Sequence, residues 1–387
     1  MVSFVGGITL SGGITLTSPG AVLRIVGGAQ AKNSSEGAAY VYNIDGTNEV
    51  KITAGSGSAN DYFGGSVASS GSKIAAGARG YNSNDGRVYV YDNDGSNEVT
   101  IDPTAGFAGT GGEEFGYSLA MNSSKLAVGS PGDHHSSTIT GSGALYICDH
   151  DGSNKVKIKP GTPLNGEYLG SSIALNSTKV IGGAYNSPQS GNQRGAAYIF
   201  NHDGTGEVRV QPSLDNTDRF GYQVAINSTK AAASAYLDDD NGSQAGAVYV
   251  FNHDGSSIAK IKPSDGSGGD YFGMGMAMSS SKLVVGAPGA DNSSNVATGA
   301  VYVFDLDGTN QVKITPSDGT ANDYFGNSVA TDGTYIIVGA RMADPNSNAN
   351  AGKLYVYEMD GTNEVIIESS DGAMNDALGG YVAIGTG

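Results

Sequence analysis

Seven carboxylates recur at one position of this chain. Asp61, Glu113, Glu167, Asp218, Asp270, Asp323 and Asp376 each stand two residues before an aromatic-Gly or Leu-Gly pair. Gathered into a ring, such acids could attract cations. Recurrence at every repeat argues instead for a structural task, accepting backbone N–H groups where one repeat enters the next. A second pattern, as in Asp92-Asn93-Asp94-Gly95 and Asp305-Leu306-Asp307-Gly308, could offer oxygens to a hard cation. Its first acid is replaced by Asn43, Asn201 and Asn252, and Glu98 downstream becomes Lys155 in another copy. Ligands of a working site would not vary so freely, and the pattern reads as a turn held by its own Asx side chains.

Other reactive side chains also read as scaffold. His134 and His135 beside Asp133 fall short of the three or four ligands a metal needs. His150, His202 and His253 precede hairpin aspartates and read as exposed turn residues. Cys148 occupies the place of Tyr91, Phe200, Phe251, Phe304 and Tyr357, so it reads as packing. Asn-x-Ser/Thr triplets begin at Asn33, Asn122, Asn176, Asn227, Asn241 and Asn292, and three of them coincide with a short turn. No Ser-His-Asp arrangement, metal-ligand spacing or isolated carboxylate pair stands out. The expectation is a protein that is not an enzyme, without cofactor or metal.

The elements that carry these residues are short strands. Glycines of the Phe-Gly or Leu-Gly pairs fall at 64, 116, 170, 221, 273, 326 and 379, with differences of 52, 54, 51, 52, 53 and 53. Asp-Gly pairs recur seven times as well, at Gly46, Gly95, Gly152, Gly204, Gly255, Gly308 and Gly361. One period, residues 63–103, reads as four strands. In Arg87-Val88-Tyr89-Val90-Tyr91 the tyrosines share one face and the valines the other, a period of two. Four antiparallel strands repeated seven times predict an all-β, seven-bladed β-propeller.

The ends predict how the ring shuts. Val22–Gly28, Ala38–Tyr42 and Glu49–Thr53 supply strands two to four of a blade, and Leu378–Ala383 supplies a first strand with nothing after it. Pairing them completes the seventh blade and removes exposed sheet edges. Ile14–Thr17 competes for the first-strand place. The expected division is a Gly-rich segment, 1–20, and a propeller over 21–387.

Composition sets outer limits. A net charge of −17 argues against nucleic acid, which needs clustered Lys and Arg. A single Cys excludes a disulfide framework within the chain. No apolar run approaches the ~18 residues of a membrane span, so no membrane insertion is expected. Met1-Val2-Ser3-Phe4 lacks the basic start of a secretory signal.

Phe-Gly pairs followed by Gly-Ala-Pro, as in Val285-Gly286-Ala287-Pro288, resemble the FG-GAP repeat. That resemblance spans roughly residues 22–387 and implies the propeller of integrin α subunits. Copies drift: Val128-Gly129-Ser130-Pro131 keeps the proline, whereas Ala233-Ser234-Ala235 loses the glycine. Calcium-binding members carry Asp-x-Asp-x-Asp-Gly between strands one and two. Here Asn122-Ser123-Ser124 or Asn176-Ser177-Thr178 stands there, so no calcium site is carried over.

Alternating strand direction puts turns one–two and three–four on one face of the disc. Loops two–three and four–one lie on the other. The two–three loops range from 7 residues (79–85) to 12 (131–142), and variation on a rigid scaffold is where recognition concentrates. Candidate binding residues on this face are Tyr62, Arg79, Tyr81, Tyr185, Arg194, Tyr236, Tyr271, Tyr324 and Arg341. In integrins, aromatics of this region receive a partner's basic side chain, so the resemblance implies an aromatic collar; plain blade packing competes with it. The Gly-rich start and the body rich in Ser, Asn and Gly resemble virion proteins of marine tailed phages. The leading expectation is therefore a virion structural or attachment protein, docked on other virion subunits through residues 1–20 and presenting its face to a host glycan or neighbouring protein. An exported or cell-surface adhesin or lectin is the alternative, and a propeller-fold polysaccharide-degrading enzyme comes third.

Overall fold

A computed structural model describes residues 23–103, 112–189, 192–212, 218–291, 296–345 and 348–385. The expected anchoring segment 1–20, with Ile14–Thr17, lies outside the described residues, as does Asn292.

Alternating β-branched and aromatic residues between Gly-rich turns build seven four-stranded antiparallel sheets. Blade I comprises Val67–Ser69, Lys73–Ala78, Arg87–Asp92 and Val99–Ile101. Blades II to VI follow in chain order, with innermost strands Ser118–Met121, Ser172–Leu175, Val224–Ile226, Gly275–Met278 and Ser328–Thr331. Blade VII is made from both ends. Tyr381–Gly385 pairs antiparallel with Arg24–Ala29, Ile384 facing Ile25, and Ala38–Asn43 and Val50–Ile52 complete the sheet. The C-terminal segment thus closes the ring, as expected. Innermost strands lie against those of both neighbouring blades all the way round.

Second and third strands are buried on both faces, because every blade is covered on both sides. The core is accordingly seven clusters, each shared by two successive blades. Val26, Val41 and Ile52 of blade VII meet Phe63, Ile74 and Tyr89 of blade I. The closing seam sets Ile337, Leu354 and Ile367 against Ile25, Tyr40 and Leu378. Phe63, Phe115, Phe220, Phe272 and Phe325 stand edge-on to Tyr89, Tyr146, Tyr249, Tyr302 and Tyr355, centroids 5.0–5.7 Å apart, a favourable aromatic geometry.

Both glycines of the repeat have one cause. A Cβ on Gly28, Gly77, Gly129, Gly183, Gly286 or Gly339 would lie 1.8–2.1 Å from the carbonyl oxygen of Gly64, Gly116, Gly170, Gly221, Gly326 or Gly379 in the next blade. Those carbonyls accept hydroxyls reaching back, from Ser66, Ser118, Ser172 and Ser328, at 2.6–3.2 Å. The residue before each Phe-Gly or Leu-Gly is left-handed at all seven copies, from Glu114 at φ 53° to Arg219 at 61°. This turns its amide onto the preceding loop, as in Tyr62 N to Ser35 O (2.9 Å) and Tyr168 N to Gly141 O (3.0 Å).

The seam between blades VI and VII adds charge. Buried Lys32 meets Asp376 at 2.6 Å, while Asp371 accepts from Tyr40 Oη and Lys51 Nζ, both at 2.6 Å. Partial burial alone would raise the Asp371 pKa. Hydrogen bonds from Lys51 and Tyr40 and the charge of Lys32 prevail and hold it at about 2.

This geometry can be tested at a glycine and at an acid. Gly352 has φ +84°, and an added Cβ would lie 2.1 Å from Leu378 O. Gly352→Ala should cost about 1–3 kcal/mol, read as a lower urea midpoint; an unchanged midpoint would contradict the close approach. Asp371 has a depressed folded pKa, so its stabilisation is present above about pH 4, its unfolded value, and is lost as pH falls towards 2. Asp371→Asn should flatten the stability curve between those limits, as followed by denaturant midpoints across the range.

Candidate functional site

Most reactive groups are committed to scaffold work. Six of the seven repeated acids are buried, Glu113 being half-buried. Five accept the N–H three residues earlier: Asp61 from Ser58 (2.8 Å), Glu167 from Leu164 (3.0 Å), Asp270 from Ser267 (2.9 Å), Asp323 from Thr320 (2.7 Å) and Asp376 from Ala373 (2.8 Å). Burial raises the pKa of Glu113, Glu167, Asp270 and Asp323. In those five acceptors the structural task read from their recurrence is the one they perform, and none of the seven lines the central cavity.

All seven hairpin aspartates, Asp45 to Asp360, accept the N–H two residues ahead at 2.9–3.1 Å, the expected Asx turn. On the same face, Asn122, Asn176 and Asn227 donate through Nδ2 to the next blade's Asn176, Asn227 and Ser279 carbonyls. These triplets therefore serve as turns that link blades. His150, His202 and His253 differ from the exposed reading. They are half-buried, with Nε2 3.0–3.3 Å from the Asn122, Lys179 and Lys230 carbonyls, bridging the two hairpins of one blade. Asp133 is buried and paired with Lys157 and Lys159, and His134 Nδ1 accepts from Gly141 N (3.1 Å). Among the described residues no group of three or more His, Cys, Asp or Glu could hold a metal ion. Cys148 is fully buried, and burial pushes its thiol up to about 11.

What remains is the mouth on the variable face. A central cavity of about 440 Å³ runs along the innermost strands, whose consecutive residues line it, so strand edges form its wall. At the mouth stand Gln30, Tyr117, Tyr185, Tyr222, Asn327, Arg341 and Tyr381. Two repeat positions supply most of them. The residue after the Gly-Ala, Gly-Ser or Ser-Ala pair that ends each second strand is Gln30, Arg79, Tyr185, Tyr236 or Arg341 in five blades, and proline, Pro131 or Pro288, in two. The residue after Phe-Gly or Leu-Gly supplies Tyr117, Tyr222 and Asn327.

Tyrosines form a continuous arc round this rim. Successive ring centroids are 6.1 Å (Tyr168–Tyr185), 6.1 Å (Tyr185–Tyr222), 4.2 Å (Tyr222–Tyr236) and 6.3 Å (Tyr236–Tyr271) apart. Arg79 lies between Tyr62 (5.3 Å) and Tyr117 (5.1 Å), and Arg219 lies 5.4 Å from Tyr185. Burial pushes the Tyr117 hydroxyl up to about 12 and Tyr222 higher. These two phenols are therefore neutral hydrogen-bond donors at ordinary pH.

The sequence-derived candidates divide accordingly. Tyr185 and Arg341 line the mouth, with Tyr62, Arg79, Tyr236 and Tyr271 packed around it. Tyr81 instead shares a separate surface cleft with Tyr62, under Arg87 at 4.0 Å. Arg194 offers its carbonyl to Phe220 N (2.9 Å), and Tyr324 offers its own to Asn327 N (3.1 Å); neither lines the cavity. Missed from sequence were Gln30, Tyr117, Tyr222, Asn327 and Tyr381. Aligning the seven copies and marking departures from proline and from small residues would have found Gln30, Tyr117 and Tyr222.

The FG-GAP repeat family matches residues 47–91, 214–251, 256–304 and 309–357. The chain is a seven-bladed propeller that carries FG-GAP repeats over these stretches. Among curated protein sequences none matches. The propeller domain of the Trilobed protease from Pyrococcus furiosus, described as having an open velcro topology, is similar in fold at 13% identity and a TM-score of 0.54, covering 92% of this chain and 96% of that one. TolB from Acinetobacter baumannii aligns at 15% identity and a TM-score of 0.48 over 77% of this chain, which spans 62% of TolB. In this propeller the ring is closed by strand pairing.

Arg79 tests the rim as built. Its two aromatic contacts are worth about 1–2 kcal/mol together, so Arg79→Ala should lower stability by that amount in denaturant titration. No change would mean the sandwich is not formed.

Proposed function

We propose that this FG-GAP propeller is a non-enzymatic recognition protein whose variable-face mouth engages a glycan or a neighbouring protein. The observation that carries the reading is the exchange of proline for Gln, Arg or Tyr in five blades at the position opening onto one mouth. Scaffold residues repeat; these do not. Tyrosine offers a flat apolar face and a hydroxyl at low entropic cost, which suits recognition. The commitment of Asp133, the hairpin aspartates and the histidines to turns and ion pairs supports a binding role over catalysis.

The setting we propose is the surface of a virus particle, where residues 1–20 attach the propeller to a neighbouring subunit. Its low share of charged residues, 15%, and Gly-, Ser- and Asn-rich composition support that setting. Mass spectrometry of purified particles checks it: presence is expected, and absence would transfer the same mouth to a cell-surface adhesin. For the mouth itself, the folded chain should bind a subset of a glycan array or a protein of the particle. The triple variant Tyr117→Ala, Tyr222→Ala, Tyr236→Ala should lose that binding at least tenfold, since two or more stacked contacts of about 1 kcal/mol each are removed. A folded triple variant with undiminished binding would place recognition elsewhere.

A further inference from the structure

Resting on the mouth as the binding site, we propose that its ligand is a carboxylate-bearing saccharide, the carboxylate at the Arg341 guanidinium and sugar faces on Tyr117 and Tyr222. Two polar atoms at this mouth are buried without a hydrogen-bond partner: Arg341 Nε, a donor, and Gln30 Oε1, an acceptor. They belong to adjacent blades, VI and VII. The Arg341 guanidinium makes no ion pair among the described residues, whereas Arg87 is paired with Asp102 and Arg219 bonds to Asn186. Arg341 lines the same opening as Tyr117, Tyr222 and Tyr381, and the Tyr236 ring lies 4.2 Å from that of Tyr222.

The tyrosines show the same contrast. Those inside the blades bind carboxylates through their hydroxyls, as Tyr40, Tyr198 and Tyr355 do with Asp371, Glu167 and Asp318 at 2.6–2.9 Å. At the rim, Tyr117, Tyr222 and Tyr381 make no hydroxyl hydrogen bond among the described residues and are not sealed from water. A donor-rich opening with a guanidinium calls for an anion with further oxygens around it. Space is provided on the same side: blades I and VII carry Gly65 and Gly380 where blades II and IV carry Tyr117 and Tyr222. The cavity wall below is strand edge, which presents backbone polar groups and disfavours an acyl chain.

The test compares oligogalacturonate with its methyl ester, which differ in the carboxylate alone, by calorimetry on the full chain. The acid should bind at least tenfold more tightly than the ester. Arg341→Gln should erase that preference, the loss expected when a charge-assisted hydrogen bond is removed, at an unchanged melting temperature. Arg341→Lys should restore part of it. Equal binding of acid and ester, both lost in Tyr222→Ala, would overturn the carboxylate assignment and leave the mouth as a glycan site. Binding of an Asp-rich peptide but of neither saccharide would overturn it in favour of a protein partner. No binding of any probe would overturn it as well.

Discussion

Blade geometry depends on backbone meeting backbone. At six of the seven junctions a glycine at the end of one second strand touches the carbonyl of a glycine that opens the next blade, with no room for a Cβ. Close approach at this radius brings innermost strands together, while Tyr and Phe fill the wider space further out. The junction between blades IV and V shows the tolerance of the device. Ser234 replaces the glycine there, and a Cβ on the facing Gly273 would meet the Ser234 Cβ at 2.7 Å. Six tight contacts and one looser one still close the circle.

In five blades the frame's buried third-strand hydroxyl has a carboxylate partner, but not always from the same place. The third-strand tyrosine is repeated in all seven blades. Its hydroxyl finds Asp371 or Asp318 from the preceding loop in blades VII and VI, Asp133 or Asp238 from the same blade's loop in II and IV, and the repeated acid Glu167 itself in III. A buried phenol favours an acceptor, and in these five blades whichever carboxylate lies within reach supplies it. This explains how loops diverge in sequence without disturbing the core.

The fold was legible because its signals are local and repeated. Period-two alternation marked strands, Asp-Gly marked hairpins, and the orphan first strand at Leu378–Ala383 marked the closure. Less legible were relations between residues some fifty positions apart, such as Gly77 against Gly116. Tyr62, Tyr271 and Tyr324 caught the eye by standing beside the motif, yet their left-handed backbone is a structural requirement shared with Glu114, Arg219 and Ala377. Tyr117 and Tyr222, one step beyond the motif, are the residues turned to the cavity. Adjacency to a pattern is therefore weaker guidance than departure from it. Repeat positions that must meet another blade are uniform, and those facing open space are free to differ.

Closure and recognition share one segment. Tyr381 begins the C-terminal strand that pairs with Arg24–Ala29, and it also stands at the mouth with Gln30, which follows that N-terminal strand. Arg341 belongs to the blade on the other side of the same seam. A ligand held by these residues bridges the two ends of the chain and favours the paired state by its binding free energy. The one blade among the described residues whose innermost and second strands are not joined as a hairpin thereby lies beneath the opening where a ligand would brace it.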